Sequence, residues 1–278
     1  MLTDRSRRVR EARKLRRRAA RQKAGLFLAE GPQAVREALG ESSGPRPGLV
    51  VEIFAAASAA ARHAGLLDHA AGAGVTVQLA DDAALASLSE TVTPQGLVAV
   101  CRLLTVPLIE ALGSAPGLAA VLVEARDPGN AGTVIRCADA AGADVVILAG
   151  DSVDPHGGKC VRASAGSLFH LPVVAGVPPA EAVRALRDRG MSVLAADGAG
   201  ATDLDDAEDD GLLSRPTAWL FGNEASGLSE DVLVLADRVV RIPIHGRAES
   251  LNLAAAAAVC LYASARAGRD AHPSVGHR

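Results

Sequence analysis

LAAVLVEARDPGNAGTVIRCADAAGADVVILAG, residues 118–150, decides the fold. It opens on LAAVLVEA, an apolar run suited to a strand buried on both faces. DPGNAGTV then turns the chain into a helix expected over 132–141, and DVVILAG reads as the next strand. Strand, helix and strand in that order predict an α/β domain with a parallel sheet. The turn Asp127–Thr133 carries Gly129 and Gly132, which let backbone approach a partner closely. Asn130 between them offers an amide donor and a carbonyl acceptor. A helix starting near Gly132 puts Arg136 in its first or second turn, able to face the same crevice. A strand-turn-helix with no ligand is the alternative.

Further along, strands are expected near 168–174 and over 191–196, 217–221 and 238–242, with helices at KCVRASAG, 178–189 and 251–266. Two more loops follow strands. In FGNEASGLS, from Phe221, Glu224 puts an anion where exposed N–H groups would otherwise attract phosphate, which argues against a phosphate cradle. Ser226 or Ser229 there could simply cap a helix. In RIPIHGRAESLNL, from Arg241, Ile and Leu side chains could line an adenine pocket. Ser250 and Asn252 could equally be helix caps. No GxGxxG opens the first βα unit, there is no GxxxxGK[ST] loop, and the seven histidines form no HExxH.

Toward the N-terminus, short strands and helices alternate from FLAEGPQAVREAL to GLVAV, giving a small α/β domain over 24–104 and a connection at 105–117. An Ala-rich helix is expected at 55–70, a loop at 41–48, and a frayed tail over 269–278 after a second domain at 118–268. Residues 1–23 hold eleven Lys or Arg against Asp4 and Glu11, although the whole chain carries a net charge of −3. They read either as an RNA-attracting arm or as a solvated helix packed through Val9, Ala12 and Leu15. DLDDAEDD, residues 203–210, reads as a solvated loop. Cys101, Cys137, Cys160 and Cys260 form no CxxC, and neither a secretory signal nor a membrane span is visible, so a cytoplasmic location is expected.

Three segments in order resemble the motifs of the SpoU/TrmH family of RNA ribose 2′-O-methyltransferases, within the SPOUT class: DPGNAGTVIRCADAAGAD, FGNEASGLS and RIPIHGRAESLNLAAAAAVCLY. FLAEGPQAVREAL and TPQGLVAV resemble the L30e-like substrate-binding domain often attached to these enzymes. The resemblance covers roughly residues 24–268. It implies a second domain with a deep trefoil knot, S-adenosyl-L-methionine bound in the knotted loops, and a homodimer formed through that domain. It implies catalytic positions at Asn130, Arg136, Glu224, Ser250 and Asn252, and cofactor contacts at Gly222, Ile242 and Leu251. Arg136 would bind a phosphate beside the target ribose, Asn130 would hold Arg136 or the ribose, and Glu224 would orient Arg136 or the RNA site. Structured RNA, ribosomal above all, is the implied partner, with no metal and no membrane required. A tRNA 2′-O-methyltransferase and a non-catalytic RNA-binding or ribosome-assembly protein are the competing readings. A nicotinamide oxidoreductase and a base methyltransferase rank below them.

Overall fold

The computed structural model describes residues 1–40, 44 and 46–271. In chain order the elements are α1 (Arg7–Lys14), α2 (Arg18–Ala24), β1 (Leu26–Glu30), α3 (Pro32–Ala38), β2 (Val50–Ala55), α4 (Ala57–Arg62), α5 (Ala64–Gly72), β3 (Thr76–Leu79), α6 (Asp82–Leu88) and β4 (Leu97–Arg102). There follow α7 (Leu108–Ala111), β5 (Leu118–Val123), α8 (Pro128–Ala141), β6 (Val145–Ala149), α9 (Gly158–Ala163), β7 (Val173–Val177), α10 (Pro179–Arg187) and β8 (Ser192–Ala196). The last are β9 (Thr202–Asp203), α11 (Leu204–Asp209), β10 (Thr217–Phe221), α12 (Glu230–Leu233), β11 (Arg238–Arg241) and α13 (Leu253–Ala271). They fall into two compact units: residues 1–104 with 154–170, and the rest of the chain.

In the first unit the sheet order is β1-β4-β2-β3, with β4 antiparallel to β1 and β2, and β3 parallel to β2. Phe27, Ile53 and Phe54 are fully buried in it. The basic N-terminus is part of this packing. Val9, Ala12 and Leu15 recur every three residues, fall on one side of α1 and its closing turn, and are buried. Arg21 is buried too. One of its terminal nitrogens donates to the carbonyls of Leu15 (2.9 Å) and Arg16 (3.0 Å). Its Nε and other terminal nitrogen donate to Asp154 Oδ2 at 2.9 and 2.7 Å. Burial raises the Asp154 carboxyl pKa, but hydrogen bonds from His156 and Arg21 outweigh it and hold it well below the usual carboxylate range.

Segment 154–170, read from sequence with the second domain, packs in the first unit. Phe169 stacks near Phe27 at 6.1 Å between ring centres, and Arg162 and His170 reach Glu30 and Glu37 at 3.2 and 3.1 Å. The helix expected at 55–70 is two, α4 and α5, broken at His63.

The second unit is a seven-stranded sheet, β7-β6-β5-β10-β8-β11-β9, with every neighbouring pair parallel. Every residue of β5, β6 and β10 is buried, as a sheet covered on both faces requires. Val121, Ile147 and Leu220 belong to a core shared with Leu112 of the α7 turn and with Leu186 of α10. The alternate residue Trp219 faces α13, where its Nε1 donates to Ser264 Oγ at 2.9 Å. Each such large apolar side chain contributes about 1.5–3 kcal/mol by leaving water. The two-domain α/β architecture is therefore present, with the parallel sheet typical of the SPOUT knot fold.

Two local expectations change. DLDDAEDD forms β9 and α11, because Leu204 and Ala207 are three residues apart and bury together, while Asp205 and Asp206 sit at the favourable end of the helix dipole. Arg241 and Arg266 pair with Asp203 and Glu208 there. Helix α13 runs to Ala271, through the first three residues of the tail expected over 269–278; residues 272–278, and 41–43 and 45 of the loop at 41–48, lie outside the described residues. No helix among the described residues is long and apolar enough to cross a membrane.

Candidate active site

Strands β5, β10, β8 and β11 are parallel neighbours, so their C-terminal ends open side by side. Ligands of open parallel sheets bind outside such ends. A cleft of about 480 Å³ lies there, lined by Asp197 and Gly198 after β8, Phe221–Ala225 and Gly227 from β10 onward, and Ile242, Ile244 and Glu249–Leu253 after β11.

The Asp127 turn takes a form that the sequence reading missed. Asp127 is itself the N-cap, accepting from the Asn130 N–H at 2.8 Å, and Pro128 occupies the first turn, where its missing N–H costs nothing. Helix α8 therefore starts four residues earlier than expected. Asn130 is a helical residue in the first turn, and Arg136 lies in the third.

Asn130 joins the three loops. Its Nδ2 donates to Glu224 Oε1 at 3.1 Å, and its Oδ1 accepts from Asn252 Nδ2 at 3.1 Å. Glu224 also accepts from the backbone N–H groups of Arg126 and Asp127, both at 3.2 Å. Its carboxylate thus takes the anion position at the N-terminus of α8, which explains how an acid suits this loop. Burial raises the Glu224 pKa, but hydrogen bonds from its own N–H, from Arg126, from the Asn130 amide and from Asp127 together hold it below the ordinary value. Asn252 serves twice, because its Oδ1 caps α13 by accepting from Ala254 N–H at 2.9 Å. Ser250 lines the cleft two residues away.

Gly222 is needed for the closure of its loop. A Cβ there would stand 2.3 Å from the Gly227 carbonyl carbon, where Asn223 and Gly227 pair through both backbone hydrogen bonds. Ile242 and Leu251 give the cleft apolar wall.

Arg136 is not brought into this group. It is exposed, makes no hydrogen bond or ion pair among the described residues, and does not line the cleft. Six residues along a helix turn it about 120° away from Asn130. Within one chain, Asn130 and Glu224 bind each other rather than Arg136.

Sequence reading passed over other lining groups. Asn223 donates to the Glu124 carbonyl at 2.8 Å, and Glu124 holds a φ of 52°, a strained value of the kind that collects at functional sites. Asp197 and Glu249 join Glu224 as cleft acids, and among the described residues no Lys, Arg or His lines the cleft. Such a wall suits a cationic ligand and disfavours a pyrophosphate. Among the described residues no group of three or more His, Cys, Asp and Glu is placed to hold a metal. No disulfide joins any of the four cysteines, and burial pushes the Cys260 thiol up to about 12, so it is not a nucleophile.

Residues 117–262 match the model of the SpoU rRNA Methylase family, and residues 6–99 match that of the MRM3-like substrate binding domain. The 23S rRNA (guanosine(2553)-2′-O)-methyltransferase RlmP of Bacillus subtilis is 34% identical over 91% of this chain and 94% of its own. An AdoMet-bound rRNA methyltransferase from Sinorhizobium meliloti superposes with a TM-score of 0.82 at 29% identity, over 96% of this chain and 97% of its own. The SpoU methyltransferase AviRb from Streptomyces viridochromogenes, solved with the cofactor AdoMet, gives 0.81 at 29%, over 94% and 98%. With both halves matched and relatives aligned along nearly their whole length, the chain belongs to the SpoU rRNA methylase family.

Proposed function

We propose that this protein transfers a methyl group from S-adenosyl-L-methionine to a ribose 2′-hydroxyl of RNA, with 23S ribosomal RNA as the substrate class. The junction of three loops through Asn130, at the mouth of an acid-lined cleft, carries the proposal. The cleft fits the cofactor. Its volume is in the range of small-ligand sites, Ile242 and Leu251 offer apolar surface to an adenine, and Asp197, Glu224 and Glu249 suit a molecule bearing a sulfonium and an ammonium. The names of the relatives supply the RNA class.

Bound S-adenosylmethionine supplies an electrophilic methyl on a good leaving group. The protein's part is to place the acceptor ribose and help its proton leave. Asn130 and Glu224 hold the α8 end and the loop after β10 at fixed separation. Ser250 presents a hydroxyl at the cleft for the ribose, and Asn252 fixes the start of α13 beside it. A guanidinium offers donors and no acceptor, so the role of Arg136 is to bind phosphate and stabilise developing charge rather than to act as a base.

A homodimer through the outer faces of α8 and α13 belongs to the same reading. Val259 and Tyr262 are 41% and 47% exposed on α13, and the Tyr262 hydroxyl donates to the carbonyl of Ala140, one turn beyond Arg136. A second copy on this face lets Arg136 serve the neighbour's cleft.

The test incubates the protein with methyl-labelled S-adenosylmethionine and unmodified rRNA and tRNA pools, then identifies the labelled nucleoside. A 2′-O-methyl nucleotide in 23S rRNA is expected; label only in tRNA moves the substrate class, and label on a base refutes the reaction. Arg136→Ala should abolish turnover and leave cofactor binding intact. Mixed with Gly222→Ala, it should recover part of the activity if Arg136 works across the subunit contact. Unchanged turnover in Arg136→Ala removes it from the site.

A further inference from the structure

The chain's densest positive charge lies in the first unit, on α1, the turn after it and α2. Six cationic side chains there, Arg7, Arg10, Arg13, Arg17, Arg18 and Lys23, are exposed and make no hydrogen bond or ion pair among the described residues. Glu11, bound to Lys14 and flanked by Arg7 and Arg10, is the acid among them. We propose that this face is a preformed docking surface for the phosphate backbone of structured RNA. The proposal rests on the methyltransferase reading for the identity of the RNA, though not for the binding itself.

Three observations point this way. First, the surface is fixed rather than a loose basic tail. Buried Arg21 closes the turn through the carbonyls of Leu15 and Arg16 and anchors it to Asp154, while Val9, Ala12 and Leu15 hold α1 from beneath. Charges held in place lose less entropy on binding than charges on a flexible arm. Second, five of the six are arginines, whose planar fork matches phosphate oxygens bidentately. Third, the outward face offers no large apolar side chain, because the apolar residues of α1 point inward. A helix that lies on a lipid surface needs the opposite arrangement, so charge complementarity selects a polyanion without an apolar phase.

The test compares the full-length protein with its Arg10→Gln/Arg13→Gln/Arg17→Gln variant in filter binding to a 23S rRNA fragment from 50 to 200 mM salt. All three side chains are exposed, and unchanged thermal unfolding and S-adenosylmethionine calorimetry confirm that both units stay intact. Each lost phosphate contact should lower the salt slope by about 0.7–1. The wild type should then lose about 20- to 60-fold more affinity than the variant across that salt range. An Arg10→Lys/Arg13→Lys/Arg17→Lys variant should keep most of the slope, because it keeps the charge. The same slope in wild type and Gln variant overturns the proposal, as does charge-dependent binding to phosphatidylserine vesicles with RNA affinity unaffected. Binding is read without methyl transfer, so an inactive wild type whose slope still depends on these arginines refutes the enzymatic reading alone.

Discussion

Asn130→Ala separates positioning from stability. The substitution removes the hydrogen bond to the Glu224 carboxylate and the one from Asn252, both 3.1 Å long. A hydrogen bond to a charged group is worth about 1.5–3 kcal/mol and a neutral one about 0.5–1.5. Both are near the surface, so the low ends apply, and about 2 kcal/mol of loop positioning is lost. If that positioning is used in the transition state, the rate falls about 30-fold. The fold should barely notice. The Asp127 cap accepts from the backbone N–H of residue 130, which Ala keeps, and Ala is a better helix former than Asn by about 0.5 kcal/mol. Single-turnover methyl transfer with saturating cofactor, beside a thermal melt, reads the two effects separately. A rate within twofold of wild type, at unchanged melting temperature, would refute the idea that the three-loop junction serves catalysis. A rate loss accompanied by a large drop in melting temperature would make Asn130 a structural residue.

Three further outcomes follow from the same geometry. The native Glu224 carboxyl titrates below its ordinary 4.5, so its stabilisation is complete above about that pH and drains away as pH falls through the lower native value; Glu224→Gln should flatten the acid side of a melting-temperature profile between pH 3 and 7, and an unchanged profile would deny the ion its role. Arg21→Ala leaves Asp154 in a pocket where their side chains are 6% and 14% exposed, and should destabilise the first unit by about 3–5 kcal/mol in urea unfolding, with partial recovery in Arg21→Ala/Asp154→Asn. Gly222→Ala drives a methyl to 2.3 Å from the Gly227 carbonyl carbon and should weaken S-adenosylmethionine binding more than tenfold by calorimetry; tight binding would show that the loop can open at no cost.

The parallel sheet was legible because buried strands such as LAAVLVEA and DVVILAG are apolar throughout and are separated by helical periods. The three loops were legible from their glycines, amides and order. What joined them was not. Glu224 lies 94 residues from Asn130, and Asn252 lies 122 from it, so nothing local signals that these side chains meet. The Asp-Pro start of α8 carried a readable signal, a capping acid followed by proline, which the neighbouring glycines masked as loop. The place of Arg136 depends on where α8 begins: a start at Pro128 rather than near Gly132 puts it in the third turn, off the face that carries Asn130. Segment 154–170 was assigned by chain order to the second domain. Its partners Arg21, Phe27 and Glu37 lie more than 130 residues earlier, and only the fold reveals them.

That last segment bears on how the protein is made. The first unit is not finished at residue 104: Asp154, His156 and Phe169 complete the surroundings of Arg21 and Phe27. A nascent chain that has emerged only as far as β4 exposes those sites to water and to other chains. At about 5–20 residues per second, roughly 3–13 seconds of synthesis separate residue 104 from residue 170. Through that interval β5, α8 and β6 emerge before the earlier unit can close. N-terminal folding on the ribosome is therefore gated by translation of the following domain, and a truncation after Leu104 should collect with chaperones rather than fold.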